Sequence, residues 1–238
     1  MFYLYYSSIH DSGMKNIHPL LLCLFALLVA CTPMKKEHEE NIDHIILGIN
    51  DLDKGIAQFK ELTGVEPVFG GIHPNSFTHN ALVALDGEMY IEIMAPRPDA
   101  ENIPEHFLRL ENLTPIDWAV RTRNTEQTKE KLKAAGFIAT ESKAGSRAKP
   151  DGTLLSWTTF GIEDHDEFPF FIEWGASTVH PSSTSPAGCT FQSFHIITPD
   201  DEAMNKFNTA LQPGLIVTKG TQQQLQLIID TPKGKVTF

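Results

Sequence analysis

Two glutamates and a histidine are set into apolar runs, where a polar side chain needs a reason to be. Glu92 lies in Tyr90-Ile91-Glu92-Ile93, Glu173 in Phe171-Ile172-Glu173-Trp174, and His44 in Ile42-Asp43-His44-Ile45-Ile46. A carboxylate buried among such neighbours is costly unless it meets a cation, a hydrogen-bond donor or a metal. If these runs are strands, alternation puts Glu92 on the face of Tyr90 and Met94, and Glu173 on the face of Phe171 and Gly175. Their matching places make both candidate catalytic carboxylates; the alternative is a pair satisfied internally by arginine or tyrosine. His44 is a candidate ligand or acid/base group, its ring titrating near neutrality, or else a core histidine with both nitrogens satisfied.

Further residues gather around these three. Ile116-Asp117-Trp118 repeats the Ile-Asp start of Ile42-Asp43-His44, which puts Trp118 at the histidine's place. Indole cannot bind a metal and only stacks or donates one hydrogen bond, so Trp118 is a candidate stacking wall for a ligand, with Tyr90 beside it. His195 matches His44 through the triplet His-Ile-Ile. Paired with His44 and one carboxylate it would approach a two-histidine, one-carboxylate iron arrangement; the alternative is an appended half outside the site. Arg147, just before the Pro150-Asp151-Gly152 turn, is a candidate contact for an anionic group, and His73 and His180 read as solvated loop residues.

The elements that must position these side chains repeat along the chain. Ile42 to Ile49 reads as a strand, Asn50 and Asp51 as helix caps, and Gly64 as the helix stop. Strands are expected at 66–69, 81–85 and 89–94, the last two flanking an Asp86-Gly87 hairpin signal. The order recurs: a strand over 115–123, a helix from Asn124 to Gly136 with Gln127 completing a capping box, then strands at 137–141, 153–160 and 168–174. A fainter third round follows, with strands at 191–198, 215–218, 225–230 and 235–238 and a helix opening at Asp200-Asp201. The expectation is an α+β protein of repeated βαβββ units whose curved mixed sheet surrounds a concave cavity. Its parts are a first unit over 42–98, a second over 99–180, a linker over 181–190 and a third, partial unit over 191–238.

The N-terminal stretch carries a different signal. Met14-Lys15-Asn16 followed by the apolar run 20–30 fits a secretory signal, the run being shorter than the ~20 residues that span a bilayer. It ends in Leu28-Val29-Ala30-Cys31, similar to the lipobox of bacterial lipoproteins, so 1–31 reads as a signal peptide, Cys31 as the lipidated residue and 32–41 as a tether. Translation from Met14 would remove a preceding stretch that lacks a basic start. The expected location is the cell envelope, lipid-anchored on the periplasmic side of the outer membrane, with the membrane as partner through Cys31. Beyond Cys23 and Cys31 only Cys189 remains, too few for an internal disulfide or a thiolate metal site. A net charge of −11 argues against nucleic acid as a partner, because counterion release rewards cationic surfaces.

The runs IDHIILGIND, GGIHPNSFTHNALVALDGEMYIEI, DWAVRT, SRAKPDGTLLSW and FPFFIEWG, in their βαβββ order, resemble the glyoxalase-like domains of the vicinal oxygen chelate superfamily over 42–174. That resemblance implies metal ligands on the first and last strands of each unit, facing the concave side. Carried over, it makes His44, Glu92 and Glu173 ligands of one divalent ion (manganese, iron, nickel or zinc), while Trp118 interrupts a four-ligand set of the glyoxalase I kind. The implied activity is metal-assisted lyase, isomerase or dioxygenase chemistry on a small polar substrate, with a glutamate as base. The alternatives are a non-catalytic lipoprotein that sequesters a small molecule between Trp118 and Tyr90, and an envelope protein whose site has decayed.

Overall fold

A computed structural model describes residues 41–74, 76–165 and 167–238. The expected signal peptide, Cys31 and the tether up to residue 40 lie outside the described residues, and Asn41 already belongs to the first strand.

The first unit runs β1 (Asn41–Gly48), α1 (Leu52–Thr63), β2 (Val68–Ile72), β3 (Thr78–Ala84), β4 (Tyr90–Pro96). Asp51 caps α1 by accepting from the Lys54 amide, and Gly64 closes it in the left-handed region at φ 81°, where a side chain would be strained. A one-turn helix, α2 (Glu105–Leu108), leads to the second unit: β5 (Thr114–Arg121), α3 (Thr125–Ala134), β6 (Lys143–Ala148), β7 (Leu154–Phe160), β8 (Phe170–Trp174). Asn124 caps α3 on the Gln127 amide, as its spacing predicts. The strand expected at 137–141 is reduced to a single antiparallel bridge, Ala139 with Ile162. Phe137 turns into the core against Phe168 and Phe207, and pairing resumes at β6. Lys-Ala-Gly-Ser-Arg-Ala has no apolar rhythm because β6 is an edge strand, paired on one side only.

These eight strands form one sheet in the order β2-β3-β4-β1-β5-β8-β7-β6. Each unit joins its first strand to its last in parallel, β1 to β4 and β5 to β8, and the units meet at the antiparallel β1–β5 pair. The sheet curls until its edges almost touch: the Arg147 guanidinium on β6 donates to the Gly70 carbonyl on β2. Gly71 sits at φ 138°, and a Cβ there would lie 2.7 Å from Arg147 Nη1 and 3.0 Å from the Ala148 carbonyl, so this near-barrel closes only around a glycine.

The third unit is β9 (Thr190–Thr198), α4 (Asp201–Leu211), β10 (Ile216–Lys219), β11 (Gln224–Thr231) and β12 (Gly234–Thr237). It has the full count of elements but another order, β10-β9-β11-β12. It does not extend the bowl. Phe194, Phe207 and Leu227 join Ile45, Leu47, Val120 and Phe171 in one core on the convex face of the large sheet. The stretch before it is docked, not free: the Pro186 carbonyl accepts from the Ala84 amide.

Candidate functional site: a buried acid/base cluster in the curved sheet

The concave face encloses a cavity of about 580 Å³, within the ~300–1,000 Å³ range of small-molecule sites. Its floor is β1, where a bulge decides which side chains enter. Ile42 pairs with Val120 and His44 with Ala119, so Asp43 is an extra residue and the strand changes face across it. Ile42 goes to the core and His44 into the cavity. Asp43 is fully buried, and its two oxygens take His44 Nδ1 at 2.7 Å, Trp174 Nε1 at 3.0 Å and His180 Nε2 at 3.0 Å. The other ring nitrogen of His44 lies 3.5 Å from Glu92 Oε2. Tyr90 stacks on the imidazole at 4.6 Å between ring centres, so the ring is fixed in place and in plane.

Glu92 is held as firmly. Its Oε1 accepts from Asn80 Nδ2 at 2.7 Å and lies 3.2 Å from His73 Nε2. Asp117, paired across from Ile46 on β5, completes the polar floor, diagonal to His44 on the same face. Apolar walls rise from Met94, Phe107, Trp157, Phe170, Ile172 and Trp174.

The buried groups polarise one another. Burial works against charge on Asp43, but its bonds to His180 and His44 hold the carboxyl well below the usual range. Burial likewise opposes charge on His44; the bond to Asp43 and the charges of Asp43, Glu92 and Asp117 outweigh it and raise the ring above its ordinary 6.5. For Glu92, burial is overcome by His73, His44 and Asn80, which bring it down to about 2. Asp117 goes the other way. Burial, aided by the charge of Glu92, pushes it up to about 6 against the pull of the Trp118 amide and His44. Burial and the charges of Asp43 and Glu92 keep the Tyr90 phenol protonated well past 10.

Of the residues singled out in the sequence, His44, Glu92, Tyr90 and Arg147 meet at this cavity. Three do not. Glu173 keeps the face of Phe171, as alternation requires, but that face packs on the core. Its Oε2 accepts from the amide and hydroxyl of Thr125 at 2.8 and 2.5 Å, capping α3. Trp118 is 1% exposed and wedged between Phe194 and Phe207, joining the large sheet to the third unit. His195 points away from that core on β9, bonded to Ser193 Oγ at 3.0 Å. Four residues taken for loop or left unremarked reach the cluster: His73, His180, Asp43 and Asp117. Asp117 carries the signal that Glu92 carries, an acid inside an apolar strand.

The donor set does not fit the divalent ion that the family resemblance implies. With His44 beside Tyr90 and Ala119 beside Phe170, the second-unit counterparts of His44 and Glu92 are Ala119 and Ile172, neither of which has a donor atom. Glu173 is on the wrong face. Among the described residues no three His, Cys, Asp or Glu side chains converge as an ion would need.

Paired parallel units, a concave mixed sheet and polar residues on its central strands define a protein of the vicinal oxygen chelate type, with a cavity of small-molecule size. Residues 42–211 match the glyoxalase-like domain family, and the chain belongs to it. Among solved structures it is similar to a hypothetical protein from Staphylococcus aureus, 18% identical, with TM-score 0.59 over 78% of this chain and 88% of that one. Methylmalonyl-CoA epimerase from Mycobacterium tuberculosis is 19% identical with TM-score 0.39, over 56% of this chain and 86% of that one. No curated protein matches the sequence. The likeness to the Staphylococcus aureus protein is one of fold and not of activity.

Proposed function

We propose that this protein is an enzyme that moves a proton on a small carbonyl compound, with Asp117 as base and His44 as acid. The observation that carries it is one buried face holding an aspartate pushed up to about 6 beside an imidazole raised above 6.5. Groups whose surroundings shift them toward the working pH in this way are the usual acid/base partners of a site. Near neutrality Asp117 is mostly ionised and able to take a proton from carbon next to a carbonyl. His44, charged and steadied by Asp43, donates from Nε2 to the carbonyl oxygen as negative charge develops there. Returning the proton to carbon gives isomerisation; expelling a leaving group instead gives elimination. Glu92 stabilises the imidazolium and Tyr90 fixes its plane. The apolar walls exclude water, which strengthens each of these interactions.

The test is a set of small ketones, aldehydes and 2-oxo acids incubated in D₂O with the purified domain and followed by proton NMR. Deuterium uptake next to the carbonyl is expected with the wild type and lost with Asp117→Asn and His44→Gln. Saturable binding without exchange in every case would instead support the sequestering reading. We further propose that the chain is a lipid-anchored envelope protein, on the strength of the run ending in Ala30-Cys31. Metabolic labelling with a fatty acid should mark the wild type, and Cys31→Ser should remove the label.

A further inference from the structure

Arg147 is 4% exposed, yet its guanidinium has a single acceptor among the described residues, the Gly70 carbonyl, and no carboxylate within ion-pair reach. A guanidinium offers five N–H donors. None of its other donors is sealed off unpartnered, so they retain access to open space. Donors that reach open space and hold no protein acceptor are free to take an anion. The open space is on two sides, because Arg147 lines both the main cavity and a second pocket of about 220 Å³ along the seam between β2 and β6.

The two sides differ in charge. The main cavity already holds Glu92 and Asp117. The seam pocket holds Arg147 and Lys149, with only Asp151, 3.8 Å from Lys149 and largely exposed, on the negative side. Apart from Thr184 and Ser185 its remaining wall is largely apolar: Leu82 and Leu155 are buried, while Val68, Phe69 and Val179 are 45, 42 and 52% exposed. Lys149 is part-exposed and its ammonium also donates to Thr184 Oγ1 at 3.4 Å. Exposed apolar side chains beside a buried guanidinium and a part-exposed ammonium are the complement of an amphipathic anion.

We propose that the seam pocket binds a small organic acid, its carboxylate on Arg147 and Lys149 and its short apolar chain against Phe69, Leu155 and Val179. The volume limits the body to a few carbons, below that of most ligand pockets. Such a ligand would bridge the two sheet edges already joined by the Arg147–Gly70 hydrogen bond. The site shares Arg147 with the main cavity but uses neither of the proton-transfer groups, Asp117 and His44.

The experiment is an NMR titration of the labelled domain with pentanoate, with pentanamide and inorganic phosphate as controls. Saturable pentanoate shifts at the amides of Val68, Phe69 and Val179 are expected, with none from pentanamide. Lys149→Gln, a rim change that leaves the core intact, should weaken binding several-fold, and Arg147→Met should abolish it. His44→Gln should leave it unchanged, which separates this site from the proposed chemistry. Equal binding of pentanamide, or pentanoate binding that survives Lys149→Gln unaltered, would overturn the proposal. So would shifts at Phe107 and Trp157 in the main cavity instead of the seam, or saturation by phosphate alone.

Discussion

At the scale of single residues, the account turns on Asp117. Its folded pKa near 6 stands above the ordinary 3.8, so the folded state holds its proton more tightly than the unfolded chain. The stability from that proton is complete below pH 3.8 and is lost as pH rises through 6. Asp117→Asn keeps an acceptor for the Trp118 amide and removes the buried charge. It should therefore stabilise the protein by about 3 kcal/mol at pH 8 and hardly at all at pH 4, read from urea unfolding at the two pH values. Activity should follow a bell, rising as Asp117 ionises near 6 and falling as His44 loses its proton above 6.5. Asp43→Asn should move the falling limb to lower pH, since Asp43 is what holds the imidazolium.

At the scale of elements, the repeated Ile-Asp start is where legibility ended. Caps, the glycine stop and the order of strands follow from local chemistry and stand in the sequence. The bulge at Asp43 does not, because it is a property of the β1–β5 pairing and not of either strand alone. One inserted residue exchanges the two faces, so aligning His44 with Trp118 names the wrong neighbour: Ala119 pairs with His44, and Asp117 faces the cavity. Glu173 shows the same limit: alternation fixes which residues share its face, but not which side of the sheet that face meets. Its role as a cap gives a separate test. Glu173→Ala should cost about 1 kcal/mol of stability, read from the urea midpoint, and leave proton exchange intact. Glu92→Gln should do the reverse, sparing α3 and impairing exchange.

At the scale of the whole molecule, the third unit is a buttress. It covers the convex face behind β1 and β5, the two strands that carry His44 and Asp117, and Trp118 is the largest side chain in that contact. Trp118→Ala should destabilise the protein by about 3–5 kcal/mol in urea unfolding, without changing the shape of the pH profile. Its burial explains why an aromatic residue stands beside the site without touching a ligand. Cys189 is likewise a packing residue, buried and with its thiol pushed up to about 11, so thiol reagents should leave the native domain unmodified.

The measurement that bears most directly on the central claim is the NMR titration of Asp117 and His44 in the folded domain. A carboxyl ¹³C midpoint for Asp117 near 6 and an imidazole midpoint for His44 above 6.5 that falls in Asp43→Asn are the results predicted. An Asp117 midpoint near 3.8, or a His44 ring that stays neutral down to pH 6, would contradict the assignment of base and acid.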